Sequence, residues 1–144
     1  MMITPEHIFE FANLMILPAW LMLIIAPQWR WTRSLVMTGN YSLAYAVLYI
    51  VIIIMNFDVE TFNFSTLKNV QMLFSNSHIL LAGWVHYLAF DLLIGAWITK
   101  DANKVNINHL YIIPVLIFTF YLGPVGYLAY CVTRCFKLLK AKAR

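Results

Sequence analysis

Four apolar runs, each near the length of a membrane crossing, dominate this chain: "IFEFANLMILPAWLMLIIA" from Ile8 to Ala26, Leu35 to Met55 ending "VLYIVIIIM", Ile79 to Ile98, and Leu110 to Val132. A helix rises about 1.5 Å per residue, so about 20 apolar residues cross a bilayer's hydrocarbon. The chain is 62% hydrophobic and 11% charged over 144 residues, with mean hydropathy +0.76. A soluble domain carries about a quarter charged residues. One this short could not hide that much apolar surface from water, so lipid is expected to serve as part of its solvent. The expected fold is all-α: a single membrane domain over residues 1–144, a four-helix transmembrane bundle with spans at about 6–27, 35–55, 78–98 and 110–133, then a basic tail over 134–144.

The flanks fit that reading. Thr4 can cap the first helix, Pro5 suits its first position and Glu6 its first turn. "APQWRWTR" ends the run, with Trp29 and Trp31 at interface level and Arg30 and Arg33 in water. The connection from Asn56 to Ser77 is too polar to cross, and its "STLKNVQMLF" spaces Leu67, Val70 and Phe74 as a short surface helix would; a plain loop is the alternative. Glu6 and Glu10 before the first run argue against a cleaved signal. Four crossings put both termini on one side, with Lys68 and the tail; Arg30, Arg33, Lys100 and Lys104 then lie opposite, and the small excess of positive charge favours cytoplasmic termini.

A net charge of +4 gives no reason to expect nucleic acid. The tail residues Arg134, Lys137, Lys140, Lys142 and Arg144 read as a helix end that sets orientation, or as a patch facing anionic membrane lipid. Cys131 and Cys135 share a helical face, but two sulfurs make neither a disulfide framework nor a zinc site.

Ionisable groups inside the spans are costly and therefore informative. "GWVHYLAFDLLIGAW", Gly83 to Trp97, places His86 and Asp91 near mid-depth. Five residues separate them by about 140° around the helix, so they point at different neighbours. Matching helices by depth brings Asn13, Tyr49, Gly123 and Pro124 level with His86, and Ser42, Tyr45 and Thr119 level with Asp91. On the same matching Arg134 lies near His78, too far along the fourth helix to serve Asp91. Pro124 cannot donate to the carbonyl of Phe120, so that acceptor needs another partner. Tyr41, Tyr45 and Tyr49 recur every four residues, either as a packed stripe or with one phenol acting as an acid. His86 and Asp91 read equally as interhelical hydrogen-bonding groups.

The third span together with "FTFYLGPVGYLAYCVTR", and the N-terminal "FANLMILPAWLMLIIAPQWRWT", resembles the abscisic-acid-deficient-four-like family of small membrane proteins. The residues carrying it are Asn13, Pro18, Trp20, Pro27 and Trp31, then Trp84, His86 and Asp91, and Gly123, Pro124, Gly126, Tyr130 and Arg134. Plant members are needed to convert violaxanthin to neoxanthin, and the lack of a transit-peptide pattern makes this chain look like a bacterial-type member. The resemblance implies a carotenoid or other long isoprenoid as ligand and an isomerase-type reaction needing no cofactor and no metal. On that reading Asp91 or His86 is the base, and Tyr45, Tyr49 or the other member of the Asp91–His86 pair is the acid. Asn13, Trp84, Tyr87, Phe120, Gly123 and Pro124 would line the substrate site. A non-catalytic carotenoid- or lipid-binding or assembly protein is the competing reading, with a homo-oligomer as one form either could take. Proton conduction is disfavoured, because no chain of carboxylates runs from one side to the other.

Overall fold

The computed structural model describes residues 4–56 and 63–142, so part of the connection after the second run and the last two tail residues lie outside the described residues. Every element among the described residues is helical: α1 Pro5–Ile25, a π-helical turn Thr32–Met37, α2 Asn40–Met55, α3 Leu67–Phe74, α4 Ser77–Lys104, α5 His109–Leu122 and α6 Pro124–Lys142. Two of these, α1 and α4, are long and apolar enough to cross a membrane, while α2 and α5 are apolar but shorter.

Local chemistry explains most boundaries. Thr4 and His7 form a reciprocal capping box at the start of α1, with Pro5 in the first turn. The second run does not begin as an α-helix at Leu35, as the sequence suggests. The π-helical turn comes first, fastened by the Thr32 hydroxyl on Ala26 O at 2.7 Å and by Lys100 Nζ on Met37 O at 3.2 Å. Gly39 then takes φ +86° and opens α2. The short helix expected between the second and third runs is present as α3, capped by Thr66 on the Asn69 N–H. Phe74 from α3 lies over Gly83 of α4, where a methyl group would overlap its ring. Asn76 caps α4, which carries on through Asp101 to Lys104.

α4 is the central post, touching α1, α2, α3, α5 and α6. Its side chains Val85, Leu88, Leu92, Ala96 and Ile98 are buried. Two tyrosines of α2 tie it to α1: Tyr41 donates to Met15 O, and Tyr45 to Ala12 O at 2.7 Å. Trp20 of α1 lies on Gly95 of α4, where a methyl group would meet the indole at under 3 Å.

The fourth apolar run corrects the sequence reading. It is not one helix over 110–133. α5 ends at Leu122, Gly123 takes φ +24° and ψ −83°, and α6 turns back along α5. Gly126 sits directly on Thr119, seven residues earlier, so closely that a methyl group would overlap the Thr119 hydroxyl and backbone nitrogen. In a continuous helix two residues seven apart would be about 10 Å apart along the axis. Farther along, Tyr127 and Tyr130 pack on Trp97, and both Arg134 and Tyr130 reach Asp101. Arg134 is therefore not near His78, and the Gly123–Pro124 turn is level with Asp91 rather than His86. Pro5 and Glu6 share a groove with Ser77 and Leu80 at the opposite end of α4. The N-terminal turn and the basic tail thus sit at opposite ends, not together. The sequence reading failed here because it took a proline in an apolar run as a kink within a crossing.

Candidate functional site

The residues around the hairpin turn form one connected group. Gly123 offers no side chain, and a methyl group on it would stand 2.6 Å from Asp91 Oδ1. The Asp91 carboxyl thus lies against the turn between α5 and α6, at the start of α6, where unpaired backbone N–H groups carry partial positive charge. Its Oδ2 is buried and has no hydrogen-bond partner among the described residues. One helical turn back, the Tyr87 hydroxyl is close enough to interact with that carboxyl. The same hydroxyl donates to Phe120 O at 3.2 Å, which is the acceptor that Pro124 frees. The neighbour the sequence argument called for is Tyr87.

From Tyr87 the group extends through rings and one side-chain hydrogen bond. Trp84 lies 5.4 Å from Tyr87, centroid to centroid. Its Nε1 donates to Asn13 Oδ1 at 2.8 Å. Phe120 meets Trp20 edge-on at 5.4 Å. Asp91, Tyr87, Phe120, Gly123, Pro124, Trp84 and Asn13 thus belong to one side of α4, facing α1 and the hairpin.

His86 and Tyr49 lie elsewhere. Their rings are 5.6 Å apart on the side facing α2, and the Phe90 ring lies tilted against His86 at 4.6 Å. His86 also borders an apolar groove of about 530 Å³ between α1, α3 and α4, lined by Phe9, Phe74, Leu80, Gly83 and Trp84. His86 and Asp91 therefore have separate surroundings, with Trp84 between them: it lines the groove with His86 and contacts Tyr87, one helical turn from Asp91. Tyr45 is a third case. It is buried, and its hydroxyl is committed to Ala12 O, away from Asp91. Ser42 is buried with its hydroxyl unpartnered among the described residues.

Sequence reasoning missed two features. One is the groove closed by α3, which depends on Phe74 finding Gly83 across the connection. The other is the cluster at the outer end of the hairpin, where Asp101 Oδ2 accepts from the Tyr130 hydroxyl and from Arg134 Nε at 2.6 Å. Asp101 lies beyond the apolar stretch that ends at Ile98. The Tyr130 hydrogen bond, followed by the Arg134 bond and charge, holds its carboxyl below the ordinary range. Tyr130 and Arg134, four apart on one helical face, were the signal available in the sequence. Among the described residues no three His, Cys, Asp or Glu converge as a metal site would require.

Fold and site together define a small all-helical, strongly apolar protein in which a half-buried carboxyl meets the turn of a helix hairpin. The family model of ABA4-like proteins, described as ABA DEFICIENT 4-like, matches residues 7–130. The chain belongs to that family. The matched segment includes Asn13, Trp84, His86, Asp91, the Gly123–Pro124 turn and Tyr130. No curated protein and no solved structure matches the chain.

Proposed function

We propose that this protein is embedded in a membrane and acts there, as an isomerase-type enzyme, on a carotenoid or comparable long isoprenoid. α1, α2 and α4 would cross, and the α5–α6 hairpin would enter and leave from one side. The outward display of Phe11, Leu14, Leu21, Ile54, Leu128 and similar side chains supports a lipid surround. A hairpin turn at mid-depth is tolerable in lipid because its broken backbone is covered by protein, here by Tyr87 on Phe120 O.

The observation that carries the reading is the Asp91 carboxyl, with an unpartnered buried oxygen, beside the Tyr87 hydroxyl. An epoxide isomerisation removes a proton from carbon, breaks a C–O bond and protonates the oxygen. Asp91 is the proposed base. Tyr87 replaces Tyr45 as the proposed acid, because it lies one helical turn from Asp91 and its bond to Phe120 O is long at 3.2 Å, whereas the Tyr45 hydroxyl is held on Ala12 O of α1 at 2.7 Å. Tyr49 stays with His86, at the edge of the groove that would hold the rest of the chain-like ligand. Such chemistry needs neither a metal nor a redox cofactor.

The test is product yield per folded protein in a pigment-producing host. Asp91→Asn is expected to lower yield at least about tenfold, since a positioned base contributes about 10²–10⁴-fold. Unchanged yield in both Asp91→Asn and His86→Ala would remove the enzymatic reading. The Trp84 and His86 groove favours a second reading, a binder that holds the pigment unconverted. In that case the wild type co-purifies with unaltered pigment, and the substitutions lower folded protein rather than turnover.

A further inference from the structure

The turned-back hairpin redistributes the charges of the molecule. Gln28 reaches Asn103 at 3.4 Å, Arg33 reaches Gln28, and Lys100 reaches Met37 O. Arg30, Arg33, Lys100 and Lys104 therefore lie at one end of α4. Arg134 joins them through Asp101, and α6 carries Lys137 and Lys140 farther the same way. Every Lys and Arg whose side chain is described belongs to this end except Lys68 of α3. The opposite end, near Pro5 and Ser77, carries Glu6 and Glu10. Exposed Trp29 and Trp31 flank the basic end, with Arg30 over the Trp31 ring at 5.0 Å, as side chains at a headgroup boundary are placed.

We infer that this basic end is a docking surface for anionic lipid headgroups and faces the cytoplasm, which puts the Thr4 end of α1 on the far side. The inference rests on the membrane-embedded reading above. It reverses the orientation a four-crossing chain would favour. Four crossings split the basic residues almost evenly, whereas the hairpin gathers nearly all of them in one place. Positive charge in short loops and flanks sets orientation, and an anionic leaflet attracts such a cluster.

The test is side-specific labelling with a membrane-impermeant maleimide. The background is Cys131→Ser with Cys135→Ser, which removes both cysteines of the chain. Ser65→Cys, Asn103→Cys and Lys140→Cys are introduced one at a time. The inference expects Ser65→Cys to label in intact cells, and Asn103→Cys and Lys140→Cys to label only in inverted vesicles. The opposite pattern overturns it. So does labelling of Lys140→Cys from the same side as Ser65→Cys, which would restore a fourth crossing. The same labelling of all three in intact cells, whether all or none, with release of the protein by alkaline carbonate, would instead remove the membrane reading itself. The role of charge is tested by replacing Lys100, Lys104, Lys137 and Lys140 together with Gln. That variant is expected to label from both sides, and an unchanged one-sided pattern overturns the electrostatic cause.

Discussion

Three prolines lie inside the apolar runs of this chain, and the chain reverses direction at only one of them. α1 runs through Pro18 and α5 through Pro114 without ending. At Pro124 the chain folds back on itself. The difference lies in the neighbours. Leu17 and Ile113 precede the first two prolines, and neither can readily take a positive φ. Gly123 precedes the third and takes φ +24°. Gly126 follows, and its bare backbone lets α6 lie directly on Thr119. A missing N–H bends a helix, but reversal also needs a residue that can turn and a surface that lets the returning helix close. The turn is then tied to α4 by Tyr87 on Phe120 O and lies beside Asp91, so these residues meet because the helix breaks.

That comparison can be broken most severely at Gly126. Gly126→Val places a branched side chain into the Thr119 backbone, beyond ordinary overpacking at about 1–3 kcal/mol, so most folded protein should be lost. Size-exclusion profiles in mild detergent would show it. Gly83→Ala is the control: there the methyl group meets the edge of the Phe74 ring, which can shift, and the folded yield should fall much less. Gly123→Ala should come next in size. It adds backbone strain of about 1–3 kcal/mol and pushes the Asp91 carboxyl from the turn. Its melting midpoint and its product yield should both drop, whereas Gly39→Ala, at the other positive-φ glycine, should lower the midpoint alone.

Tyr45→Phe leaves the shape of the α1–α2 contact intact and removes one hydrogen bond to Ala12 O, a loss of about 1 kcal/mol. Tryptophan-fluorescence melting would read this. An effect on yield per folded protein as large as that of Asp91→Asn would instead return Tyr45 to a chemical role. The smallest expected effect is at the outer end of the hairpin. The Asp101 carboxyl is held below its ordinary range, so its contribution to stability is complete above about pH 4. It fades as pH falls through the lower folded value. The melting midpoints of the wild type and Asp101→Asn should therefore differ at neutral pH and converge in acid; a difference that persists would mean the carboxylate is not the stabilising form.

Much of this architecture could be read from the order of residues, because helix boundaries are set locally. Thr4 and Pro5 start α1, and the Leu67, Val70, Phe74 spacing marks α3. Asp91 and His86 could be singled out because ionisable side chains in an apolar run are costly, and their angular separation put them at different neighbours. The freed carbonyl of Phe120 could also be foreseen, although its donor could not. The reversal could not be read off, since Pro18, Pro114 and Pro124 look alike until the contact of Gly126 with Thr119 is known. Depth matching then carried that error forward, placing Arg134 by His78 and the glycine turn by His86. The groove at Trp84 was equally hidden, because it needs α3 to fold back on α4 so that Phe74 lies over Gly83.

The central claim is that the fourth apolar run returns to the end of α4 from which it left. Pulsed electron–electron distance measurement between spin labels tests it most directly. In the Cys131→Ser, Cys135→Ser background, one pair is placed at Lys104→Cys and Lys137→Cys, and another at Ser77→Cys and Lys137→Cys. α4 has 28 residues, so its ends are about 40 Å apart. The account predicts a short distance for the first pair and a distance approaching the length of α4 for the second. A long first distance with a short second one would mean that the fourth run crosses as a single helix, and it would contradict the hairpin.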